Sequence, residues 1–325
     1  MSIGIAVNLV ALAALLLLVL WWARRPTEAV RLRNALRLQP SRNEDFSWVP
    51  PHFPPGFAVE RREPGAEFRA IVASVGADQM RGDWAKALSL SAHLTERAED
   101  KGPVRDDPLA TYRAIREGYG YCADFVKVFL VLAHAAGLAA RQWAFSFDGF
   151  GGHGHTFVEV FDRERGKWLF LDVYNNFHAV DATSGEALGA LEFRDALLGR
   201  RAPALLRPNG PGRPGFVIEH KAIDYYRGGI DQWYLVWGNS AYSYYMHPVV
   251  RWSGSISRGL AHLAANVVGA QPHIRIYATP ENRVSESRMF ALRRRLHWAA
   301  LAGLLLIVAL VMQLAAVGAP GRVGA

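Results

Sequence analysis

The chain has 325 residues, 51% of them hydrophobic, and a formal net charge of +8. This length can bury a sizeable core, as one large domain or as one domain with extensions. The single cysteine excludes an intramolecular disulfide and fits a reducing compartment. The basic balance is compatible with nucleic acid or an anionic membrane as partner. Because no stretch combines aromatic and basic residues as RNA-binding surfaces do, we expect a lipid bilayer and no nucleic acid.

The first 23 residues contain no charged side chain, and Leu9–Leu20 is entirely aliphatic. An apolar stretch of this length can cross the roughly 30 Å of hydrocarbon in a bilayer. It ends in Trp21-Trp22 and Arg24-Arg25 instead of the small residues of a signal-peptide cleavage site. The pattern therefore predicts an uncleaved transmembrane helix over 1–23, with a signal peptide as the alternative.

A second apolar run, Ala299–Val317, predicts a transmembrane helix over 296–318, with a buried core helix as the alternative. Arginines flank the inner ends of both segments (Arg24, Arg25, Arg31, Arg33, Arg37 and Arg42; Arg283, Arg288, Arg293, Arg294 and Arg295), and only Arg322 lies beyond them. By the positive-inside rule the central body is expected in the cytoplasm. A periplasmic body is the alternative, because long domains can translocate regardless of charge.

Between these segments we predict three regions. Residues 24–58 form a basic juxtamembrane segment and a proline-rich linker, 59–200 form the globular core, and 201–295 form a C-terminal extension that is suited to a membrane-proximal position. Helices are predicted at Trp84–Glu99, Thr111–Arg116 and Ala123–Ala136, and strands at Ala139–Ser146, His155–Phe161 and Lys167–Tyr174. The third helix is apolar nearly all round, so we expect it to be buried.

The lone thiol, Cys122, lies just before this buried helix. A helix N-terminus favours the thiolate because of the positive end of the helix dipole. The location suits a nucleophile, but it equally suits a small buried residue that opens a core helix. Position alone does not decide between the two.

The last two predicted strands favour the nucleophile. They are joined by a polar turn, and the midpoint between His155 and Asp172 falls inside that turn. In an antiparallel hairpin, residues equidistant from the turn face each other, so these two should be cross-strand neighbours within a register error of one or two residues. An aspartate beside an imidazole fixes its tautomer and stabilises the imidazolium. Cys122 is the only thiol that could complete such a triad.

Four motifs together resemble one known family. GYC at 120–122, GLAAR at 137–141, HTFVEV at 155–160 and WLFLD at 168–172 are similar, in this order and spacing, to the transglutaminase-like, papain-like core. The resemblance covers about Trp84–Asn176. Phe157 stands where the family usually has tryptophan, and Val173 where proline is common. Neither departure touches the chemistry.

The resemblance implies an α+β fold in which the cysteine-bearing helix packs on an antiparallel sheet, flanked here by the two transmembrane helices. It implies Cys122 as nucleophile, His155 as base and acid, and Asp172 as the group that orients His155. No cofactor or metal is implied. His153 and His155 could form a metal-binding pair on a strand, but no further ligand has the right spacing.

Neighbouring residues receive more modest roles. We expect Glu159 to be structural, His134 to be a satisfied core histidine, and Asn175, Asn176 and His178 to be loop residues near the site. An oxyanion hole would use the backbone N–H of Cys122 and a second donor, for which Trp84 and Gln79 are candidates by upstream position.

These expectations describe a membrane-anchored cysteine protease, amidase or other hydrolase, or an acyltransferase that cross-links. Its substrate would be the amide of a protein, peptide or glycopeptide. The alternative is a non-catalytic scaffold module in a membrane-protein complex that assembles cell envelope or polysaccharide. The resemblance also implies a bacterial inner-membrane protein. Many bacterial relatives work on the outer side of the membrane, whereas the arginines predict a cytoplasmic body, and we follow the arginines.

Overall fold

The computed structural model describes residues 3–22, 24–99, 101–104, 106–212, 215–216, 218–256 and 258–318. The ends of the first predicted anchor, Met1 and Ala23, and the outer Arg322 lie outside these residues. The fold is a mixed α and β body built on an eight-stranded sheet, with a long apolar helix at each end of the chain. The expected α+β class is confirmed.

The helices are α1 (Ile3–Trp22), α2 (Pro26–Arg37), α3 (Ala66–Ser74), α4 (Asp83–Thr95), α5 (Pro108–Arg116), α6 (Cys122–Ala135), α7 (Ala190–Leu197), α8 (Glu219–Gly228), α9 (Ala241–Tyr245), α10 (Pro248–Ile256), α11 (Arg258–Val267) and α12 (Arg283–Gly318). The strands are β1 (Leu38–Gln39), β2 (Ala140–Ser146), β3 (Gly154–Asp162), β4 (Lys167–Asp172), β5 (Phe177–Asp181), β6 (Ala204–Pro208), β7 (Trp233–Trp237) and β8 (His273–Ile276). The predicted core helices correspond to α4, α5 and α6, and the predicted strands to β2, β3 and β4, with ends that differ by a few residues.

The sheet has the order β1-β8-β7-β2-β3-β4-β5-β6. All neighbouring strands are antiparallel except β1 and β8, which are parallel. Strand β1 comes from the predicted juxtamembrane segment, and β6, β7 and β8 come from the predicted C-terminal extension. The sheet therefore runs across the predicted boundaries at 58/59 and 200/201.

The alternation of side chains along β3 separates two hydrophobic cores. Val158 and Val160 face the core that contains α6, whereas Phe157 faces the core that contains Tyr226 of α8. Both faces of the central strands are thus covered, and each fully buried Val or Phe side chain stabilises the fold by roughly 1.5–3 kcal/mol. Helix α6 is buried from Phe125 to Ala133, as its all-round apolar sequence predicts.

Helices α1 and α12 have the length and composition needed to cross a membrane. They run antiparallel, since Asn8 near the start of α1 hydrogen-bonds Gln313 near the end of α12 (Nδ2 to Oε1, 2.9 Å), and Leu15 lies against Gly303. Small residues and interhelical hydrogen bonds are typical of helix contacts in lipid. The apolar window of α12 has none of its residues buried in the body.

A third core ties these helices to the body. Ala35 of α2, Ile274 of β8 and Met289 and Leu296 of α12 are buried together. Helix α12 is thus one continuous helix whose first half packs on the sheet and whose second half is apolar. The predicted basic juxtamembrane segment includes α2, which is docked on the body: the Asn34 side chain donates to the Phe150 carbonyl at 2.9 Å.

Glu159 is a buried carboxylate on β3, and its partners explain the structural role expected for it. It accepts hydrogen bonds from Arg141 Nε at 2.8 Å, Trp143 Nε1 at 2.5 Å and the Ala190 backbone N–H at 2.7 Å. These contacts join β2, β3 and the start of α7. A buried carboxylate needs such pairing, because an isolated charge in the interior is strongly unfavourable.

We expect Glu159→Ala to reduce the free energy of unfolding by about 3–5 kcal/mol, because it leaves the buried Arg141 guanidinium without its partner. The measurement is thermal or denaturant unfolding of the full chain in detergent. The matched control is Glu186→Ala at an exposed position, for which the change should stay within about 0.5 kcal/mol. Equal stability of the two variants would contradict the assignment.

Candidate active site

The backbone before α6 places the thiol at a helix start. Gly120 has φ +115°, and a Cβ there would lie 3.1 Å from Ile115 and Phe125, so glycine is required. Asp124 accepts the Tyr121 backbone N–H at 3.1 Å and thereby closes the first turn. Cys122 is the first helical residue and is half-buried, so its sulfur sits at the positive end of the α6 dipole and within reach of solvent.

Asp172 is the most constrained group of the site. Its carboxylate is fully buried. Oδ2 accepts hydrogen bonds from His155 Nε2 at 2.9 Å, Asn175 Nδ2 at 2.6 Å and the Tyr226 hydroxyl at 2.7 Å. Oδ1 accepts the Asn175 backbone N–H at 2.9 Å. Burial by itself raises the pKa of Asp172, but the charge and hydrogen bond of His155, with the Asn175 donors, lower it below the usual value.

His155 lies between Asp172 and Cys122. Burial by itself lowers the pKa of the imidazole. The charge and hydrogen bond of Asp172 outweigh this effect, and the hydrogen bond and charge of Cys122 contribute further. Together they raise the pKa of His155 to about 10. Because Nε2 is bonded to Asp172, Nδ1 remains for the sulfur. The structure thus brings the three predicted residues together, with the His155 imidazole between the Asp172 carboxylate and the Cys122 sulfur.

The register of the hairpin differs slightly from the prediction. Val158 pairs with Leu171 and Asp162 with Lys167, so the same register places Asp172 opposite Phe157 and not opposite His155. His155 and Asp172 are diagonal neighbours on one face of the sheet, within the register error stated above. The shift arises because β3 continues through Asp162 and the turn occupies 163–166.

The hydroxyl of Tyr226 is a part of the site that the sequence analysis missed. It is fully buried and reaches Asp172 from α8, 54 residues later in the chain. Burial, followed by the charge of Asp172, raises the pKa of Tyr226 well above its usual value, so it remains a donor. Its neighbour Tyr225 packs against the His155 ring at 5.7 Å. No sequence spacing signals either residue, since both lie in the predicted extension.

The other candidate residues lie around the site. Asn175 takes part directly, and its Oδ1 also accepts the Phe216 backbone N–H at 3.0 Å. His178 bonds Asn209 and packs edge-on against Trp84, and Asn176 bonds Ser91 and the Gly212 carbonyl. His134 bonds the Arg62 carbonyl, and His153 packs against Phe147. Gln79 is exposed. Over the described part of the chain, no three His, Cys, Asp or Glu side chains cluster as a metal site requires.

The raised pKa of His155 makes stability depend on pH. Its folded-state pKa is about 10, against roughly 6.5 in the unfolded chain. The stabilisation is therefore complete below about pH 6.5 and is lost as pH rises towards 10.

We expect Asp172→Asn, which removes the largest cause of the raised His155 pKa, to reduce the loss of stability between pH 6 and 10 in unfolding experiments. The control Asp224→Asn, at an exposed position of α8, should keep the wild-type slope. An unchanged slope in Asp172→Asn would contradict the assignment.

Comparison with known proteins agrees with this geometry. Residues 70–173 match the family model described as the transglutaminase-like superfamily. A search of curated proteins and a search of solved structures each found no match. The matched segment runs from α3 to just beyond β4 and contains Cys122, His155 and Asp172, whereas Tyr226 lies outside it. Residues 70–173 of this chain are a domain of the transglutaminase-like superfamily.

Proposed function

We propose that the chain is a membrane-anchored thiol enzyme that transfers the acyl group of an amide through Cys122. The observation that carries the proposal is the buried His155–Asp172 pair beside the thiol at the start of α6. A scaffold module has no need of a buried histidine held between a carboxylate and a cysteine sulfur. For this reason we prefer catalysis to the scaffold alternative.

In the first step the Cys122 thiolate attacks the amide carbonyl, and the carbonyl oxygen becomes an oxyanion. The backbone N–H of Cys122 can donate to this oxygen, because the first N–H groups of a helix have no partner within the helix. When the C–N bond breaks, His155 gives its proton to the leaving amine. The products are the free amine and an acyl-thioester on Cys122.

In the second step the now neutral His155 removes a proton from the incoming nucleophile, which attacks the thioester and releases Cys122 as a thiolate. Water as nucleophile gives a peptidase or amidase, and an amine gives a cross-linking acyl transferase. Hydrolysis requires only water, so it is the default activity. Asp172 stays ionised throughout and holds the imidazole in place.

We further propose that α1 and the apolar half of α12 anchor this domain in a membrane, with the body in the cytoplasm. The loop between β2 and β3 supports a site close to the membrane surface. It contacts α2, since the Gly152 N–H donates to the Thr27 carbonyl at 3.2 Å. His155 follows only three residues later, and α2 begins directly after Arg24 and Arg25.

The activated thiol is tested by alkylation, which is clean because Cys122 is the only cysteine. At pH 7 iodoacetamide should label the wild-type chain faster than a free thiol, and His155→Ala should slow labelling roughly tenfold or more. His134→Ala, at a half-buried histidine of the same helix, should leave the rate unchanged, and Cys122→Ser should remain unlabelled. With p-nitrophenyl acetate we expect a burst of p-nitrophenol and an acetyl group on Cys122, detected by mass spectrometry. Equal alkylation rates in the wild type and His155→Ala would refute the proposal.

The orientation is tested with a membrane-impermeant maleimide on bacterial cells that express the full chain. Labelling of Cys122 should require permeabilised cells, because the arginine flanks predict a body on the inner side of the membrane. As control, Ile3→Cys in a Cys122→Ser background should be labelled in intact cells, since α1 would place Ile3 at the outer surface. Labelling of Cys122 in intact cells would put the body outside and redirect the substrate search to envelope peptides or glycopeptides.

A further inference from the structure

A cavity of about 200 Å³ lies between α2, α6 and β7, next to the proposed nucleophile. Its wall includes Ala123, the residue directly after Cys122. It also includes Gln142, whose Nε2 donates to Thr156 at 2.8 Å, and Thr156 directly follows His155. The cavity therefore adjoins the proposed nucleophile through Ala123, whereas Gln142 and Thr156 lie on the α6 face of the sheet and His155 lies on the other face.

The charge of the wall has one sign. Three cationic side chains line it (Arg33, Arg37 and Lys127), and no carboxylate does. Lys127 has an acidic partner in Asp124, at 3.5 Å. Arg33 and Arg37 have none among the ion pairs of the described residues. They are four residues apart on α2, a spacing that places two like charges side by side on a helix and destabilises it.

Among the described residues, each of the two guanidinium groups makes one hydrogen bond to the protein. Arg37 is buried, and its Nε donates to the Pro272 carbonyl at 2.6 Å. Arg33 Nη2 donates to Asn34 Oδ1 at 3.2 Å, while its Nε is buried with no hydrogen-bond partner. Burial, and next the charge of Arg33, lower the pKa of Arg37 to about 9. Two like charges this close are unfavourable without an anion, and an oxyanion beside Arg33 would supply the acceptor that its Nε lacks.

We propose that this cavity is a subsite for an anionic oxygen group, a phosphate or a carboxylate, on the substrate whose amide reacts at Cys122. The subsite rests on the proposed function, which it extends from any amide to amides that carry an anion a short distance away. Guanidinium groups suit this task because their donors match the geometry of carboxylate and phosphate oxygens. Because α2 begins at the predicted membrane surface, the anion belongs either to the substrate itself or to a lipid headgroup.

The test compares two alkylating reagents of similar size, iodoacetate and iodoacetamide, on Cys122 of the full chain in detergent. The ratio of the iodoacetate rate to the iodoacetamide rate should be roughly tenfold higher for the wild type than for a free thiol. Inorganic phosphate should compete and lower this preference. Arg33→Gln should bring the ratio of the two rates close to that of the free thiol, and Arg33→Lys, which keeps the charge but loses the planar donors, should give an intermediate ratio. Dividing by the iodoacetamide rate corrects for altered folding or thiol reactivity.

The matched control is Arg113→Gln, at an exposed position of α5 outside the cavity wall, which should leave the ratio unchanged. If iodoacetamide labelling depends on His155 but the wild type shows no Arg33-dependent preference for iodoacetate, the anion subsite is overturned and the proposed function stands. If labelling is independent of His155, the proposed function fails whatever the ratio is.

Two further measurements, made in nanodiscs of different lipid composition, identify the source of the anion. An Arg33-dependent preference that is present in phosphatidylcholine and lost with phosphatidylglycerol indicates a lipid headgroup in the cavity. The same preference in both lipids, reduced by inorganic phosphate, indicates an anion of the substrate. Dividing the rate ratio of the wild type by that of Arg33→Gln in the same lipid corrects for the general repulsion of iodoacetate by an anionic surface.

Discussion

The buried carboxylate of Asp172 is the constraint on which the site depends. A charge removed from water is tolerated only when it is paired and its lone pairs are satisfied. Asp172 meets this requirement with donors from three parts of the chain: His155 on β3, the Asn175 turn after β4, and Tyr226 on α8. Each donor is therefore fixed by the same acceptor, and the imidazole has one orientation available, with Nδ1 left for the sulfur of Cys122. The cost of burying the carboxylate is what makes the geometry of the site specific.

The neighbouring strand β3 carries a second buried carboxylate, Glu159, and its partners differ from those of Asp172. His155 and Glu159 lie on the same face of β3. The oxygens of Glu159 are bonded to Arg141, Trp143 and a backbone N–H, all of which are fixed by the core. Asp172 instead bonds an imidazole whose other nitrogen faces a half-buried thiol, so its charge is transmitted to a group that a substrate can reach.

The parts of the fold that the sequence predicts are those with a local signal. Apolar periodicity locates α4 and α6, alternation locates β2, β3 and β4, and the polar turn between β3 and β4 places His155 near Asp172. The register error of two residues arises because the length of a turn is not encoded in the alternation. Strands β1, β7 and β8 and the Tyr226 contact could not be predicted, because pairing between residues far apart in sequence leaves no periodic pattern. The docking of α2 cannot be predicted for a related reason: a basic juxtamembrane segment gives no local signal of contacts such as that of Asn34 with Phe150.

The docking of α2 also changes what the arginines say about orientation. The positive-inside argument counts all basic residues near the apolar helices as charges at the membrane surface. Arg31 donates to the Gly149 carbonyl in the β2–β3 loop at 3.1 Å, and the carbonyls of Pro272 and Leu38 hold Arg37 and Arg293. The fold therefore uses these three to attach the anchor to the sheet. Arg24 and Arg25 next to α1, and Arg294 and Arg295 next to the apolar half of α12, are exposed and can interact with lipid headgroups. The orientation hypothesis rests on these four, and they still lie on the side of the body, because α1 and α12 run antiparallel and place both pairs at the same end.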